Sequence, residues 1–226
     1  MISVVIPTLD SAAVLPRALA PLVEGAAHGL IKQVIVADGG SHDETLAIAD
    51  AAGCDVVAAP RGRAKQMRAG AAAAKGKWLM FLNADAVLAP GWLPEVERFV
   101  GAAASRKRAG VFQLAFDDPS PRLRRAAFWA RLRARVMKLP YADQGVLLSR
   151  FFYDGIGGYP DMAVLDDVEM ARRIGARRLT FLAAQIVANG ENFRTAAAGR
   201  NGWRNLTLMA RYMMGADPAE LAKGYE

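Results

Sequence analysis

Ile2-Ser3-Val4-Val5-Ile6-Pro7-Thr8-Leu9-Asp10 is an apolar, β-branched run that stops at an acidic turn. Gln33-Val34-Ile35-Val36-Ala37-Asp38-Gly39-Gly40-Ser41-His42-Asp43 repeats that plan further along the chain. Such runs read as strands, over 2–6 and 33–37. The residues between them predict a helix over 12–24, and a second helix follows over 43–52 with Ser41 as its cap. A strand over 55–58, an Ala-rich helix over 64–75 and a strand over 78–82 continue the alternation. Continuous apolar runs belong in a sheet covered on both faces. Strand–helix alternation implies right-handed crossovers and parallel pairing. The fold predicted is therefore α/β, a doubly wound, mostly parallel sheet with helices on both faces.

The second half is less regular. Its patterns predict a helix over 92–104, a strand over 111–116 and a long basic helix over 120–138. A strand over 145–148, a helix over 168–175 and a strand over 180–183 follow. Amphipathic helices are expected over 203–214 and 218–223. No repeat or linker divides the chain, so one domain over 1–226 is expected. Apolar residues make up 53% of the sequence, enough for a sizeable core. The single cysteine, Cys54, excludes an internal disulfide framework and a multi-cysteine zinc site. It is expected as a buried strand residue. Two histidines, His28 and His42, leave little material for a His-centred triad or metal site. No basic leader precedes the first strand, and the most apolar stretch, 78–94, is interrupted by Asn83, Asp85, Pro90 and Gly91. A cytoplasmic protein without a signal peptide or membrane-spanning helix is expected.

Ligands of parallel sheets bind at the carboxyl ends of the strands. Pro7-Thr8-Leu9-Asp10 follows the first strand, Asp38-Gly39-Gly40-Ser41-His42-Asp43 the second, and Asn83-Ala84-Asp85 the fourth. Acidic residues thus gather on one edge. No Gly-x-Gly-x-x-Gly follows the first strand, which argues against a nicotinamide or flavin cofactor held in the usual way. No Gly-x-x-x-x-Gly-Lys-Ser/Thr is present, so the phosphate loop of ATPases is absent. Carboxylates remain. One can accept hydrogen bonds from a ribose or base, and another can hold Mg²⁺ or Mn²⁺ against a diphosphate. Taken singly, Asp38 and Asp85 equally suit a turn or a cap. Arg61-Gly62-Arg63 follows the third strand and suits bidentate phosphate recognition. Gln66 lies three residues beyond Arg63, on the same helix face.

In this order, Val4-Val5-Ile6-Pro7-Thr8, Val36-Ala37-Asp38-Gly39-Gly40-Ser41-His42-Asp43-Glu44-Thr45, Ala59-Pro60-Arg61-Gly62-Arg63-Ala64 and Leu82-Asn83-Ala84-Asp85 resemble the family 2 glycosyltransferases, whose fold is called GT-A. Arg61-Gly62-Arg63-Ala64 and Asp143-Gln144-Gly145 further resemble a bacterial branch labelled arsenosugar-biosynthesis-type. The resemblance implies a nucleotide-sugar-binding half over about 1–115, an acceptor-side half over about 116–200 and C-terminal helices beyond. It implies a nucleotide-diphosphate sugar as donor. Pro7, Thr8 and Asp10 would line the nucleotide pocket, with Asp38 and Gly39 at the base or ribose. Arg61, Arg63, Gln66 and Asn83 would lie on the donor side, and Asp85 would bind the metal and the diphosphate. Asp143 and Gln144 would fall on the acceptor side. Asp166-Asp167-Val168-Glu169 resembles the family's Glu-Asp-x-Glu element, which points to Asp167 as general base. Displacement at an anomeric carbon needs such a base and charge stabilisation on the leaving diphosphate, and a single displacement inverts the stereochemistry. Asp166 and Asp167 also suit the start of a helix. The chain departs from the family pattern at Asn83, where the metal motif has Asp or His, and at Asp166, where Glu is usual. Asn83 leaves open a non-catalytic relative that binds a nucleotide or a membrane. A nucleotidyltransferase would need a Gly-rich, basic loop after the first strand, which Pro7-Thr8-Leu9-Asp10 does not supply.

Net charge is +7 and the sequence pI about 9.8, values that suit phosphorylated substrates, nucleic acid or an anionic membrane. On a helical wheel Arg124, Arg131, Arg135 and Lys138 fall within about 60° of one another. Leu123, Ala126, Ala127, Ala130, Ala134 and Met137 form the neighbouring apolar face. This pattern fits contact with the inner face of an anionic membrane, or with a phosphorylated acceptor. It equally fits a solvated helix packed by its Ala face. Trp203, Leu206, Ala210 and Met213 form a second stripe, suited to packing on the domain. Nucleic acid is not expected, because no binding module is present and aromatic residues do not interleave with the basic ones.

Overall fold

Strand β1 (Ile2–Thr8) is buried at every position except Pro7 and lies inside the sheet. A computed structural model describes residues 1–117, 120, 123, 125, 128, 144–162, 164–188, 207–208, 211–212 and 214–216. β1 pairs in parallel with β2 (Ile31–Asp38) on one side, and β4 (Trp78–Phe81) takes the other side, also in parallel. β3 (Asp55–Ala58) extends the sheet beyond β2. Beyond β4 lies β7 (Val146–Ser149), antiparallel, then β6 (Ala109–Phe116), β8 (Leu179–Ala188) and the two-residue β5 (Val87–Leu88). The eight-stranded order is β3-β2-β1-β4-β7-β6-β8-β5. β6 and β8 are parallel, while the β6–β7 and β5–β8 pairs are antiparallel.

Side chains alternate across the strands and divide the core. Ile2, Val4 and Ile6 of β1 and Met80 of β4 join α1 (Leu15–Ala27) and α4 (Trp92–Gly101) on one face. Val5, Leu79 and Phe81 point the other way. They meet α3 (Arg63–Ala73), α5 (Arg150–Gly155) and α6 (Asp166–Ile174). Gly70 lets α3 approach β1 closely, since a Cβ there would lie 2.4 Å from Val5 Cγ1. Both faces are covered, as predicted.

Several boundaries differ from the sequence reading. α1 begins at Leu15, not 12, because residues 9–13 form a turn fastened to the loop after β2. Pro16 stands in its first turn, where a missing N–H is tolerated. α2 (Thr45–Ala51) is not capped by Ser41; Asp43 accepts the Thr45 amide instead, at 3.0 Å. Cys54 is half-buried and sits just before β3, where its amide closes the end of α2 on the Ala49 carbonyl. Burial, with Asp55 beside it, pushes its thiol up to about 11. β8 is longer than 180–183, and β5 and α5 were not foreseen. Most of the basic stretch 120–138 lies outside the described residues, although Leu123 is buried. Trp203 and the helix expected at 218–223 also lie outside them. No described helix is long and apolar enough to cross a membrane.

Candidate functional site

The carboxyl ends of β1, β2 and β4 carry three loops, and the first two are fastened together. The Asp10 amide donates to Ser41 Oγ at 2.9 Å, and the His42 amide donates to Asp10 Oδ1 at 2.7 Å. The Ser11 amide donates to Thr45 Oγ1 at 2.7 Å, and the Ala12 amide to Asp43 Oδ2 at 2.9 Å. Asp10 adopts φ 48°, a left-handed conformation that Asp tolerates better than most residues. The loop after β1 is thus held by its neighbour.

Asp38 sits beneath these loops, 5% exposed. It lies opposite Thr8 in the β1–β2 register. Thr8 Oγ1 donates to its Oδ1 at 2.9 Å, as does Ser41 Oγ at 2.5 Å. The Gly40 and Ser41 amides donate to its Oδ2 at 2.9 and 2.8 Å. Burial alone would raise its pKa, but these four donors outweigh burial and hold the carboxyl below its ordinary value. Gln66, 4% exposed, donates from Nε2 to the carbonyls of Thr8 and Ala37. It ties α3 to the ends of β1 and β2, and Gly39 leaves room for it: a Cβ there would lie 3.0 Å from Nε2.

Arg63, at the start of α3, crosses to two other elements. Its Nε donates to Asn83 Oδ1 at 3.2 Å, and Nη1 forms an ion pair with Asp166 Oδ2. The guanidinium also lies over the Tyr159 ring, 5.8 Å from its centroid. Tyr159 is buried, and burial raises its phenol pKa, so it stays neutral. Arg63 therefore brings the loop after β4 to the amino end of α6.

Asp85, half-exposed, makes no hydrogen bond or ion pair among the described residues. Asn83, two residues earlier, already has its side-chain oxygen on Arg63. No cluster of three or more His, Cys, Asp or Glu suited to a metal occurs among the described residues. A single open carboxylate still fits Mg²⁺ or Mn²⁺, since such ions commonly rest on one or two carboxylates plus substrate phosphates. Asp167 follows Asp166 in the first turn of α6 and accepts the Val168 amide on Oδ1 at 2.8 Å.

Glu169, one turn on, is buried and accepts hydrogen bonds from Arg172, Arg173 and the Tyr212 hydroxyl, the last at 2.6 Å. Burial opposes its ionisation, but these partners hold it at about 2. Arg173 continues to the Gly157 and Gly158 carbonyls.

The structure thus brings Thr8, Asp10, Asp38, Gly39 and Gln66 into one cluster, beside half-buried Pro7, and Arg63, Asn83 and Asp166 into another. Arg61 is exposed. Gln144, just before β7, is buried and donates to the Phe112 carbonyl at 3.3 Å. Asp143 lies outside the described residues. Tyr159 and Tyr212 were not anticipated. The Gly157-Gly158 turn was the available signal for Tyr159, whereas nothing local marks Tyr212.

Residues 3–136 match the family model described as Glycosyl transferase family 2. A PGL/p-HBAD biosynthesis glycosyltransferase of Mycobacterium tuberculosis is 34% identical over 115 residues. That match covers 45% of this chain and only 42% of the relative's own length. Among solved structures, the mannosyltransferase PcManGT from Pyrobaculum calidifontis, in complex with GDP-Man and Mn²⁺, aligns with a TM-score of 0.68 at 18% identity. It covers 96% of this chain and 65% of that one. Glucosyl-3-phosphoglycerate synthase from Mycobacterium tuberculosis, in complex with Mn²⁺, UDP and glucosyl-3-phosphoglycerate, aligns with a TM-score of 0.63 at 20% identity. Coverage is 96% of this chain and 81% of that one. At such identities the likeness establishes the fold alone, and the fold is of the GT-A type.

Proposed function

Because the chain belongs to glycosyl transferase family 2, we propose that it moves a sugar from a nucleotide-diphosphate sugar to an acceptor hydroxyl with inversion. The observation that carries this reading is Arg63, whose contacts bring the loop bearing Asp85 to the helix start bearing Asp167. The nucleotide would lie over the joined loops after β1 and β2, beside Pro7, Thr8, Asp10, Asp38 and Gly39. Gln66 serves this pocket from below by fixing the two strand ends. The diphosphate would reach Arg61, Arg63 and Asp85. Asp85, together with the diphosphate oxygens, would hold Mg²⁺ or Mn²⁺. Bound there, the cation supplies charge neutralisation on the departing nucleotide diphosphate.

Both Asp166, which pairs with Arg63, and Asp167 stand in the first turn of α6, and Asp167, at the position that matches the family's general base, would act as base. It takes the proton of the acceptor hydroxyl as that oxygen bonds to the anomeric carbon. The bond from the anomeric carbon to the diphosphate oxygen breaks on the opposite face, which inverts the configuration. The GDP-Man in PcManGT and the UDP in glucosyl-3-phosphoglycerate synthase support a donor of this class. The arsenosugar-type branch is a sequence likeness carried by Arg61-Gly62-Arg63-Ala64 and Asp143-Gln144-Gly145. It selects neither sugar nor acceptor. A cytoplasmic setting suits both the single cysteine and a nucleotide-sugar donor.

Replacing Asp167 by Asn tests the assignment. Transfer should fall by about 10²–10⁴-fold while nucleotide binding persists. Transfer at the wild-type rate would remove Asp167 from the reaction. A second reading, a nucleotide-binding relative without transferase activity, draws on the neutral Asn83 and its bond to Arg63. Donor binding by the wild-type protein, with neither transfer nor hydrolysis of the donor, would select it.

A further inference from the structure

Opposite the acidic edge, the sheet ends in cations. Trp78 of β4 lies opposite Ser149 of β7, Leu148 opposite Ala109 of β6, and Ala109 opposite Leu179 of β8. Four adjacent strands therefore finish at one level. Lys75 and Lys77 precede β4, and Arg150 follows β7. Residues 106–108, before β6, and 177–178, before β8, are all Lys or Arg. Adjacent strands lie about 4.8 Å apart, so the row is about 15 Å wide. No ion pair engages these cations among the described residues.

A cleft of about 640 Å³ opens in this row, lined by Lys75, Lys77, Arg106, Arg150 and Phe151 among others. Arg150 is fixed in place, because its Nη2 donates to the Ala71 and Ala74 carbonyls at the end of α3. Arg106 lies over the Phe151 ring, 4.9 Å from its centroid, and that ring is 55% exposed. A small anion would use two or three of these groups. It would explain neither a charged row across four strands nor an exposed aromatic residue beside it. A flat anionic surface with an apolar layer beneath matches both.

We propose that this edge docks on an anionic phospholipid surface, with a headgroup phosphate between Lys75, Lys77 and Arg150 and with Phe151 at the interface. The contact is separate from the transfer reaction. It would turn the acidic edge of the sheet away from the bilayer.

Flotation of the full chain tests it, with vesicles of phosphatidylcholine alone or mixed with phosphatidylglycerol. The wild-type protein should float only with the mixed vesicles, and less so as salt rises. Lys75→Gln with Lys77→Gln should weaken partitioning by about 25-fold, at about fivefold per lysine. Both lysines are exposed, so an unchanged melting temperature should accompany that loss. Phe151→Ala should weaken partitioning as well. Wild-type partitioning by the double lysine variant would overturn the proposal. So would a loss confined to Arg131→Gln with Arg135→Gln, in the other basic stretch. Failure of the wild-type protein to float with the mixed vesicles would also overturn it.

Discussion

Arg63 holds the carboxylate of Asp166, a residue 103 positions away in sequence. The pair is mostly buried, with the two side chains 27% and 13% exposed, and the same guanidinium reaches Asn83. Removing one partner of such a pair leaves the other charge without its counterpart in a poorly solvated place. Arg63→Ala should therefore lower both stability and transfer, the latter on the order of 10²-fold through lost stabilisation of the diphosphate. Arg63→Lys keeps the charge but not the fork geometry, and should recover part of the transfer. Steady-state kinetics with thermal melts check this, and wild-type kinetics in Arg63→Ala would contradict it.

Asp38 satisfies four donors from three residues, so its carboxylate organises both nucleotide-side loops. Asp38→Ala should cost about 1–3 kcal/mol by leaving buried amide and hydroxyl donors unmatched. Nucleotide binding should weaken with it, because Ser41 also holds the Asp10 amide. Denaturant unfolding, with binding measured on the folded fraction, separates the two effects.

Glu169 sets an acid limit on stability. Its folded-state pKa, about 2, lies below its ordinary value of 4.5. The unfolded chain therefore takes up the proton first as pH falls. The stabilisation is complete above about 4.5 and is lost as pH falls towards about 2. Glu169→Gln should lower neutral-pH stability by about 1–3 kcal/mol. The gap between variant and wild type should close on acidification through that window. A gap independent of pH would contradict the assignment.

The first half of the fold was legible in the sequence because its strands are continuous apolar runs, each followed by a helix. β3 was expected at 55–58 and lies there, and β1, β2 and β4 fell within two residues at each end. The second half was less legible, since β7 enters between β4 and β6 with reversed direction. β5 has only two residues and exists through its pairing with β8. No local pattern encodes such long-range choices. Acidic residues at the strand ends were visible as a group, but their division of labour was not. Asp38 and Asp10 turned out to accept neighbouring amides and hydroxyls, and Ser41 to serve Asp38 rather than a helix cap. Gln66 reads on a wheel as the partner of Arg63, yet it faces the strand ends. Asp85, by contrast, makes no hydrogen bond or ion pair among the described residues.

The most direct test is calorimetric titration of the wild-type and Asp85→Ala proteins with UDP and GDP, with and without Mn²⁺. One nucleotide should bind the wild-type protein, Mn²⁺ should tighten it, and that tightening should vanish in Asp85→Ala. Failure of the folded wild-type protein to bind either nucleotide, with or without Mn²⁺, would contradict the account.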